Sequence, residues 1–208
     1  MKEYCFTVCA PLDVFDALHA RYGNLLSEYR RQKTVQLRDT LDKKRGLLAE
    51  YCLIEAMKQI DPSIELPLQM ETEHYGKPYL LHSDVQISLT HAGKFAAAAV
   101  CSASVGLDIE QTRPISDALA KRVCTAHEYQ DVWLKNPKDE TFRNLFSAKE
   151  SFVKRTGEGL TTLSKVDTLM EPTIRQRFME PYVLSITTDC CSEWEVYVCD
   201  SNGSLICL

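Results

Sequence analysis

The chain has 208 residues, of which 45% are hydrophobic, enough for one large core or two compact halves of roughly 100 residues each. Its net charge of -5 argues against broad nucleic-acid binding, for which phosphate contacts favour a basic surface. No apolar run approaches the roughly 20 residues of a membrane span, and no apolar leader with a small-residue cleavage site is recognisable. We therefore expect a soluble, cytoplasmic globular protein.

Two features of the composition bear on chemistry. Nine cysteines form an odd set without a C-x-x-C spacing, which indicates reduced, mostly buried thiols rather than a metal or redox site. A basic stretch lies between Arg21 and Arg45 and includes Arg30, Arg31 and Lys33. A solvated helix face is the simpler interpretation of this stretch, and a site for a phosphate-rich small ligand is the alternative.

The apolar pattern predicts a long helix followed by strands. Residues 42–60 carry apolar side chains at helical spacing, and Asp61-Pro62 ends the pattern. Residues 85–89 and 105–110 alternate as half-buried strands do. The alanine-rich run 95–100 has a high helix propensity, but its position between two turn-like segments favours a buried strand.

Helices and then strands are predicted in the remaining part of the chain. A helical stretch follows Pro114, and a second helix covers residues 141–155, where Gly157 ends the pattern. Residues 182–187 and 194–199 read as strands, and Asn202-Gly203 reads as a hairpin turn. This order of elements predicts an α+β fold with antiparallel sheets.

Asp108 and Glu110 share one face of a predicted strand, because side chains at positions i and i+2 point the same way. Two carboxylates on one face repel, so either water screens them or a cation lies between them. Oxygen ligands of this kind suit Mg²⁺, which usually takes one or two carboxylates and completes its shell with phosphate and water. For these two residues alone, a solvated strand face is the simpler interpretation.

Glu150 and Lys154 are neighbours on the helix over residues 141–155, because they are four residues apart. They lie beside Phe146, at the border of the apolar stripe, where the wall of a pocket can form. An i,i+4 salt bridge is the simpler interpretation. Lys149 favours a functional pocket, since a lysine near the apolar stripe must find an anion or water for its ammonium group.

Two turn-like segments add candidate phosphate contacts. Thr90 and His91 follow a predicted strand, and a hydroxyl beside an imidazole can donate two hydrogen bonds to a phosphate. Gly76-Lys77-Pro78 presents a lysine on a constrained backbone. A structural histidine and an ordinary turn are the simpler interpretations of each segment by itself.

Four segments together resemble the signatures of the surfactin-type (Sfp-type) 4′-phosphopantetheinyl transferases. They are GKP at 76–78, ISLTHAG at 87–93, VGLDIE at 105–110 and FSAKESFVK at 146–154. The resemblance is good over residues 40–165. It implies a fold of two similar α/β halves in one chain, residues 1–103 for the coenzyme A nucleotide and 104–208 for the metal and catalytic residues, with a cleft between them.

The resemblance also implies a reaction. Such an enzyme, a holo-(acyl-carrier-protein) synthase, transfers the 4′-phosphopantetheine arm of coenzyme A to a serine of an apo acyl or peptidyl carrier protein and releases 3′,5′-ADP. Fatty-acid, polyketide and nonribosomal-peptide carriers are all possible substrates. The reaction depends on Mg²⁺ and needs no covalent enzyme intermediate, so no cysteine nucleophile is expected. Because both halves are in one chain, we expect a monomer.

The family's functional residues map onto this chain one by one. The implied metal ligands are Asp108, Glu110 and Glu150. The implied coenzyme contacts are Arg45, Thr90 and His91 at the 3′-phosphate, and Lys77 with Pro78 at the adenine and phosphate pocket. The implied catalytic residues are Glu150, as the base, directly or through a water, and Lys154, which stabilises the departing pyrophosphate.

The chain departs from the family pattern at three positions within the second segment. Thr90 replaces the usual serine and keeps the hydroxyl, while Ala92 and Ser88 stand where serine and asparagine are common. Two other functions remain as alternatives. One is a catalytically silent paralogue that binds coenzyme A or a carrier protein, and the other is a different Mg²⁺-dependent phosphate-ester enzyme.

Overall fold

From the long helix onward, groups of helices and strands follow each other in the predicted order, whereas the strand and the two helices before it are not predicted by the sequence. The computed structural model describes residues 3–73 and 75–208. The strands are β1 (Cys5–Pro11), β2 (Met70–Thr72), β3 (Pro78–Leu80), β4 (Gln86–Ala92), β5 (Phe95–Cys101), β6 (Val105–Gln111), β7 (Ile174–Met179), β8 (Tyr182–Thr188), β9 (Trp194–Cys199) and β10 (Leu205–Cys207). The helices are α1 (Phe15–Tyr22), α2 (Glu28–Gln36), α3 (Thr40–Ile60), α4 (Asp117–Val123), α5 (Ala126–Glu128) and α6 (Asp139–Thr156).

The strands form two main sheets and a small hairpin. The larger sheet has the order β10-β9-β1-β5-β4, the second has the order β6-β8-β7, and β2 pairs with β3. The pairs are antiparallel except for β1 with β9, which run parallel. The predicted α+β class with antiparallel sheets is therefore confirmed.

The alanine-rich strand β5 lies between two hydrophobic cores. Ala96, Ala98 and Val100 pack in the core that contains α3, whereas Ala97 and Ala99 pack in the core that contains β6 and β8. Because both faces of the strand are buried, its residues are apolar at every position instead of at every second one. The small side chains allow α3 and the second sheet to approach closely from the two sides.

Strands β9 and β10 belong to the larger sheet, together with β1. The sequence places them in the predicted second half, residues 104–208, but β9 pairs with β1 and β10 pairs with β9. The predicted boundary therefore does not coincide with the division between the two sheets. The alternating pattern of residues 194–199 predicts a strand, but it carries no information on which edge that strand joins.

Helix boundaries follow from capping residues. Asp39 accepts a hydrogen bond from the backbone of Asp42 at the start of α3, and Gly157 ends α6 in a left-handed conformation with φ 73°.

All nine cysteines are free, and Cys191 and Cys207 are the two exposed ones. Among the residues that the structure describes, no helix has both the length and the apolar character needed to cross a bilayer.

Helix α6 packs against β6 at Gly106. A side chain at this position would overlap the backbone of Ser151 and Arg155. Because backbone atoms cannot move aside as a flexible side chain can, only glycine allows the helix to lie this close to the strand. This contact brings residues 150–154 next to the polar face of β6.

We expect Gly106→Ala to lower the free energy of unfolding by at least about 2 kcal/mol, because the added methyl group forces α6 away from β6. Ser104→Ala is the matched control on the same segment, since Ser104 is exposed and the change adds no atoms and removes one exposed hydrogen bond, from its hydroxyl to the carbonyl of Arg155. The control should stay within about 1 kcal/mol of the wild type. Denaturant unfolding measures both changes, and equal stability of Gly106→Ala and the wild type would contradict the packing argument.

Candidate active site

A cleft of about 400 Å³ contains most of the residues that the sequence singles out. Its lining includes Lys77, Pro78, Thr90, His91, Asp108, Glu110, Glu150 and Lys154. These residues come from the turn before β3 and from β4, β6 and α6. A larger groove of about 1270 Å³ lies between α2, the end of α3 and the β2–β3 hairpin, and it contains none of these residues. The smaller cleft is therefore the candidate active site.

Asp108 is the most constrained side chain of the cleft. It is 2% exposed, and its Oδ1 lies 2.6 Å from Lys154 Nζ and accepts a hydrogen bond from the Thr90 hydroxyl at 3.1 Å. Its Oδ2 is buried and has no hydrogen-bond partner in the part of the chain that the structure describes. A buried carboxylate oxygen without a partner is costly, so this atom is available to a ligand or a cation.

Glu110 and Glu150 complete an acidic cluster with Asp108. Burial and then the charges of Asp108 and Glu150 raise the pKa of Glu110 to about 7. Burial and then the charge of Asp108 raise the pKa of Glu150 to about 7, although the nearby Lys154 acts in the opposite direction. The three carboxylates thus repel each other enough that protons or a cation must compensate.

Lys154 is the cation that the structure places in this cluster. Its Nζ lies 2.6 Å from Asp108 Oδ1 and 3.5 Å from Glu150 Oε2, and it donates to the Thr90 hydroxyl at 3.2 Å. The predicted i,i+4 contact between Glu150 and Lys154 is therefore present. The ammonium group is held by these carboxylates, and their charges raise its pKa against the opposing effect of burial.

The acidic cluster fits Mg²⁺ by its donor chemistry. Carboxylate oxygens are the ligands that this ion prefers, and one or two of them suffice when phosphate and water supply the others. The unpartnered Oδ2 of Asp108 meets this requirement. Within residues 3–73 and 75–208, no group of three or more His, Cys, Asp and Glu side chains converges closely enough to hold a metal ion. The three carboxylates share one cleft without forming a closed set of ligands.

Thr90 and His91 lie on β4 at the same cleft. The Thr90 hydroxyl also accepts a hydrogen bond from the backbone N–H of Ile109 at 3.3 Å, so it connects β4 to β6. Partial desolvation of the ring in the cleft, followed by the positive charges of Arg30, Lys154 and Arg45, lowers the pKa of His91, while Asp42 acts in the opposite direction. Three positive charges therefore act on the imidazole, and they favour an anionic ligand beside it.

Arg45 lies close to the cleft but does not line it. Its Nε donates to the carbonyl of Gly93 at 2.7 Å, and its Nη1 lies 2.8 Å from Asp42 Oδ1. Its charge still acts on His91. Lys77, by contrast, lines the cleft, where its Nζ donates to the carbonyl of Arg155 at 2.8 Å and burial lowers its pKa.

Helix α2 contributes cleft residues that the motifs do not mark. Tyr29, Arg30 and Lys33 line the cleft. Arg31, their neighbour in the basic stretch, instead donates to the carbonyls of Asn24 and Leu26. The basic composition of this stretch was the signal in the sequence for these residues. The positions of the side chains around the helix decide which of them reach the cleft.

Lys149 does not enter the cleft. Its side chain is fully buried, with Nζ 2.6 Å from Glu128 Oε2, and it donates to the backbone carbonyls of Leu163 and Val166. The interpretation of this lysine as a mark of the pocket is therefore wrong. The anion that its ammonium group requires is a buried glutamate, and the ion pair fixes the segment after α6.

Comparisons with known proteins identify the family of the chain. Residues 104–202 match the family described as "ACPS: 4'-phosphopantetheinyl transferase superfamily". The chain is 32% identical over 167 residues to 4'-phosphopantetheinyl transferase Sfp of Bacillus subtilis (strain 168), covering 77% of this chain and 72% of the relative. It is 34% identical over 139 residues to 4'-phosphopantetheinyl transferase psf-1 of Bacillus pumilus, covering 64% and 58%. The chain therefore belongs to the 4′-phosphopantetheinyl transferase superfamily.

Proposed function

We propose that the chain transfers the 4′-phosphopantetheine arm of coenzyme A to a serine of an apo acyl or peptidyl carrier protein, with Mg²⁺ as cofactor and 3′,5′-ADP as leaving product. The observation that carries this proposal is the composition of one cleft. It combines an acidic cluster that suits a cation with Lys154, Lys77, Arg30 and Lys33, which suit phosphate groups. Coenzyme A, with its pyrophosphate and its 3′-phosphate, matches both parts.

Asp108, Glu110 and Glu150 are the proposed metal ligands. The unpartnered Asp108 Oδ2 and the raised pKa values of both glutamates support this assignment. When bound, Mg²⁺ would neutralise the pyrophosphate as the bond to the leaving group breaks. The carboxylates line the cleft without forming a closed set of ligands, so the pyrophosphate of coenzyme A would supply further oxygen ligands to the ion.

Glu150 and Lys154 are the proposed catalytic residues. The serine oxygen of the carrier forms a bond to the β-phosphorus of coenzyme A, and the bond from that phosphorus to the bridging oxygen breaks. Glu150 accepts the serine proton, directly or through a water, because its carboxylate lines the cleft at the end of the acidic cluster. The Lys154 ammonium group, half-buried beside Asp108, stabilises the charge that develops on the leaving oxygen.

The nucleotide end of coenzyme A is assigned to the β3–β4 side of the cleft. Thr90, His91 and Arg45 are the proposed contacts of the 3′-phosphate, supported by the cationic surroundings of His91. Lys77 and Pro78 are the proposed contacts of the adenine and phosphate pocket. They lie at the start of β3, where the turn fixes their backbone.

Several broader expectations belong to the same proposal. The residues for the nucleotide lie within 1–103 and those for the metal and catalysis within 104–208, as proposed for the two halves. Apart from Arg45, which lies close to it, both sets line one cleft of a single chain, which supports a monomer as the active species. The nine free cysteines support a reducing compartment such as the cytoplasm.

Incubation with coenzyme A, Mg²⁺ and an apo carrier protein should add one phosphopantetheine arm to the carrier, as seen by mass spectrometry. EDTA should abolish the addition. Glu150→Gln should lower kcat by at least about 100-fold, because the amide cannot accept the proton. Glu140→Gln, an exposed glutamate on the same helix, is the control and should retain activity. Persistent transfer by Glu150→Gln would remove it as the base, and unmodified carriers from several pathways would refute the transferase proposal.

Dephospho-coenzyme A should bind roughly 10- to 100-fold more weakly than coenzyme A, because it lacks the charge-assisted contacts of the 3′-phosphate. Isothermal titration measures both affinities. In His91→Ala the difference between the two ligands should shrink, whereas in His127→Ala, an exposed histidine outside the cleft, it should not change. Equal affinities of the wild type for the two ligands would overturn the assignment of the 3′-phosphate site.

Stability without metal should fall as the pH rises. The pKa values of Glu110 and Glu150 are about 7 in the fold against 4.5 as the ordinary value, so the folded state binds more protons between these limits. This stabilisation is complete below the lower value and is lost above the higher one. Mg²⁺ competes with protons, so it should raise the thermal midpoint more at about pH 8 than at about pH 5.5.

Glu110→Gln/Glu150→Gln is the comparison for this measurement. Without the two titrating groups, the pH dependence in this range and the response to Mg²⁺ should both decrease. A wild-type protein whose thermal midpoint does not respond to Mg²⁺ at either pH, with or without coenzyme A, would contradict the proposed metal site.

A further inference from the structure

Glu50 of α3 is a fully buried carboxylate that faces the start of α2. Its Oε1 accepts a hydrogen bond from the backbone N–H of Ser27 at 2.6 Å, and its Oε2 accepts one from the Ser27 hydroxyl at 2.9 Å. Arg30 Nε lies 3.5 Å from Oε2, so the two side chains form an ion pair without a hydrogen bond. A buried carboxylate is unfavourable unless charge and hydrogen bonds compensate it, so Glu50, Ser27 and Arg30 form one interdependent group.

Ser27 is also the N-cap of α2. Its hydroxyl accepts a hydrogen bond from the backbone N–H of Arg30 at 3.1 Å, while it donates to Glu50. Glu50 therefore determines both where α2 begins and how its first turn is oriented relative to α3. Such a cap contributes about 1 kcal/mol to a helix by itself, and here it is linked to a buried charge.

Apolar packing contributes little to holding α2. Arg30 is the single buried residue of this helix, whose other side chains are half-buried or exposed. Gly46 of α3 leaves room for its guanidinium group, since a Cβ atom there would lie 3.1 Å from Arg30 Nη1. Polar and ionic contacts thus replace the hydrophobic face by which a short helix is usually fixed.

The orientation of α2 matters because this helix supplies cations to the cleft. Arg30 and Lys33 line it, and Tyr29 lies between their charged groups, 5.5 Å from Arg30 Cζ and 4.7 Å from Lys33 Nζ as measured to the ring centroid. The positive charge of Arg30 also lowers the pKa of His91, which lies on β4 at the same cleft.

We propose that Glu50 is a positioning residue that, through Ser27 and Arg30, holds the cations of α2 toward the phosphate groups of coenzyme A. This role rests on the proposed function. Glu50 itself does not line the cleft, so it acts without touching the ligand. Its loss alters the affinity for coenzyme A and leaves the reacting groups on β6 and α6 in place.

Glu55 provides a matched control on the same helix. It is 7% exposed, and its Oε1 lies 3.0 Å from Arg21 Nη1 and accepts a hydrogen bond from the Tyr22 hydroxyl at 2.7 Å. Like Glu50 it is a buried glutamate of α3 with an arginine and a hydroxyl partner. Its partners belong to α1, and none of the three residues lines the cleft.

The test compares the wild type, Glu50→Gln, Ser27→Ala and Glu55→Gln in the full chain, with KM for coenzyme A, kcat and the thermal midpoint as readouts. Glu50→Gln should raise KM for coenzyme A about 10-fold and change kcat at saturating coenzyme A by less than about two-fold. Ser27→Ala, a milder change, should shift KM in the same direction. Glu55→Gln should lower the thermal midpoint without changing KM.

Arg30→Ala and its combination with Glu50→Gln complete the design. If Glu50 acts through α2, the double variant should raise KM by clearly less than the product of the two single effects, because part of the Glu50 effect is already lost with Arg30; a full product would show independent effects and would overturn the positioning role. An unchanged KM in folded Glu50→Gln and Ser27→Ala, or an equal rise in Glu55→Gln, would overturn the positioning role. A wild type that neither binds coenzyme A nor modifies a carrier would instead refute the proposed function.

Discussion

The contact of α6 with β6 at Gly106 is the constraint on which the cleft depends. Backbone atoms of Ser151 and Arg155 occupy the space that a side chain at this position would need. Because the helix lies so close, Lys154 reaches Asp108 at 2.6 Å and Glu150 faces the same cleft. A glycine usually weakens a strand because it has no side chain to pack. At position 106 the missing side chain lets the helix approach the strand closely.

The charges of the cleft are balanced between its own residues. Burial and then repulsion between the carboxylates raise the pKa values of Glu110 and Glu150, and Lys154 offsets part of this repulsion from within the cluster. Further cations come from α2 and from the turn before β3. This arrangement suits a ligand that brings both negative phosphates and a divalent cation, because each part of the ligand then meets the opposite charge. Because the acidic and the basic residues come from different segments, no single motif of the sequence identifies the site.

Polar networks, more than apolar packing, fix the elements that carry these charges. Arg30 is the one buried residue of α2, and it is held through Glu50 and Ser27. Lys149 and Glu128 form a buried ion pair that fixes the segment after α6. Removal of one partner of a buried ion pair is strongly destabilising, because it leaves the other charge uncompensated. Such pairs therefore couple the position of a surface helix or loop to residues far from the reacting groups.

The sequence by itself determined the fold class, the long helices, five of the ten strands that the structure describes and eight of the cleft residues, from Lys77 to Lys154, because these depend on local periodicity and on motifs. Tertiary structure alone decided the partners. It placed β9 beside β1, assigned Lys149 to Glu128, bonded Arg45 to Gly93 and brought Arg30 to the cleft. Periodicity states which face of an element is buried, but the atoms that meet that face lie far away in the chain and are selected by the packing of the whole molecule.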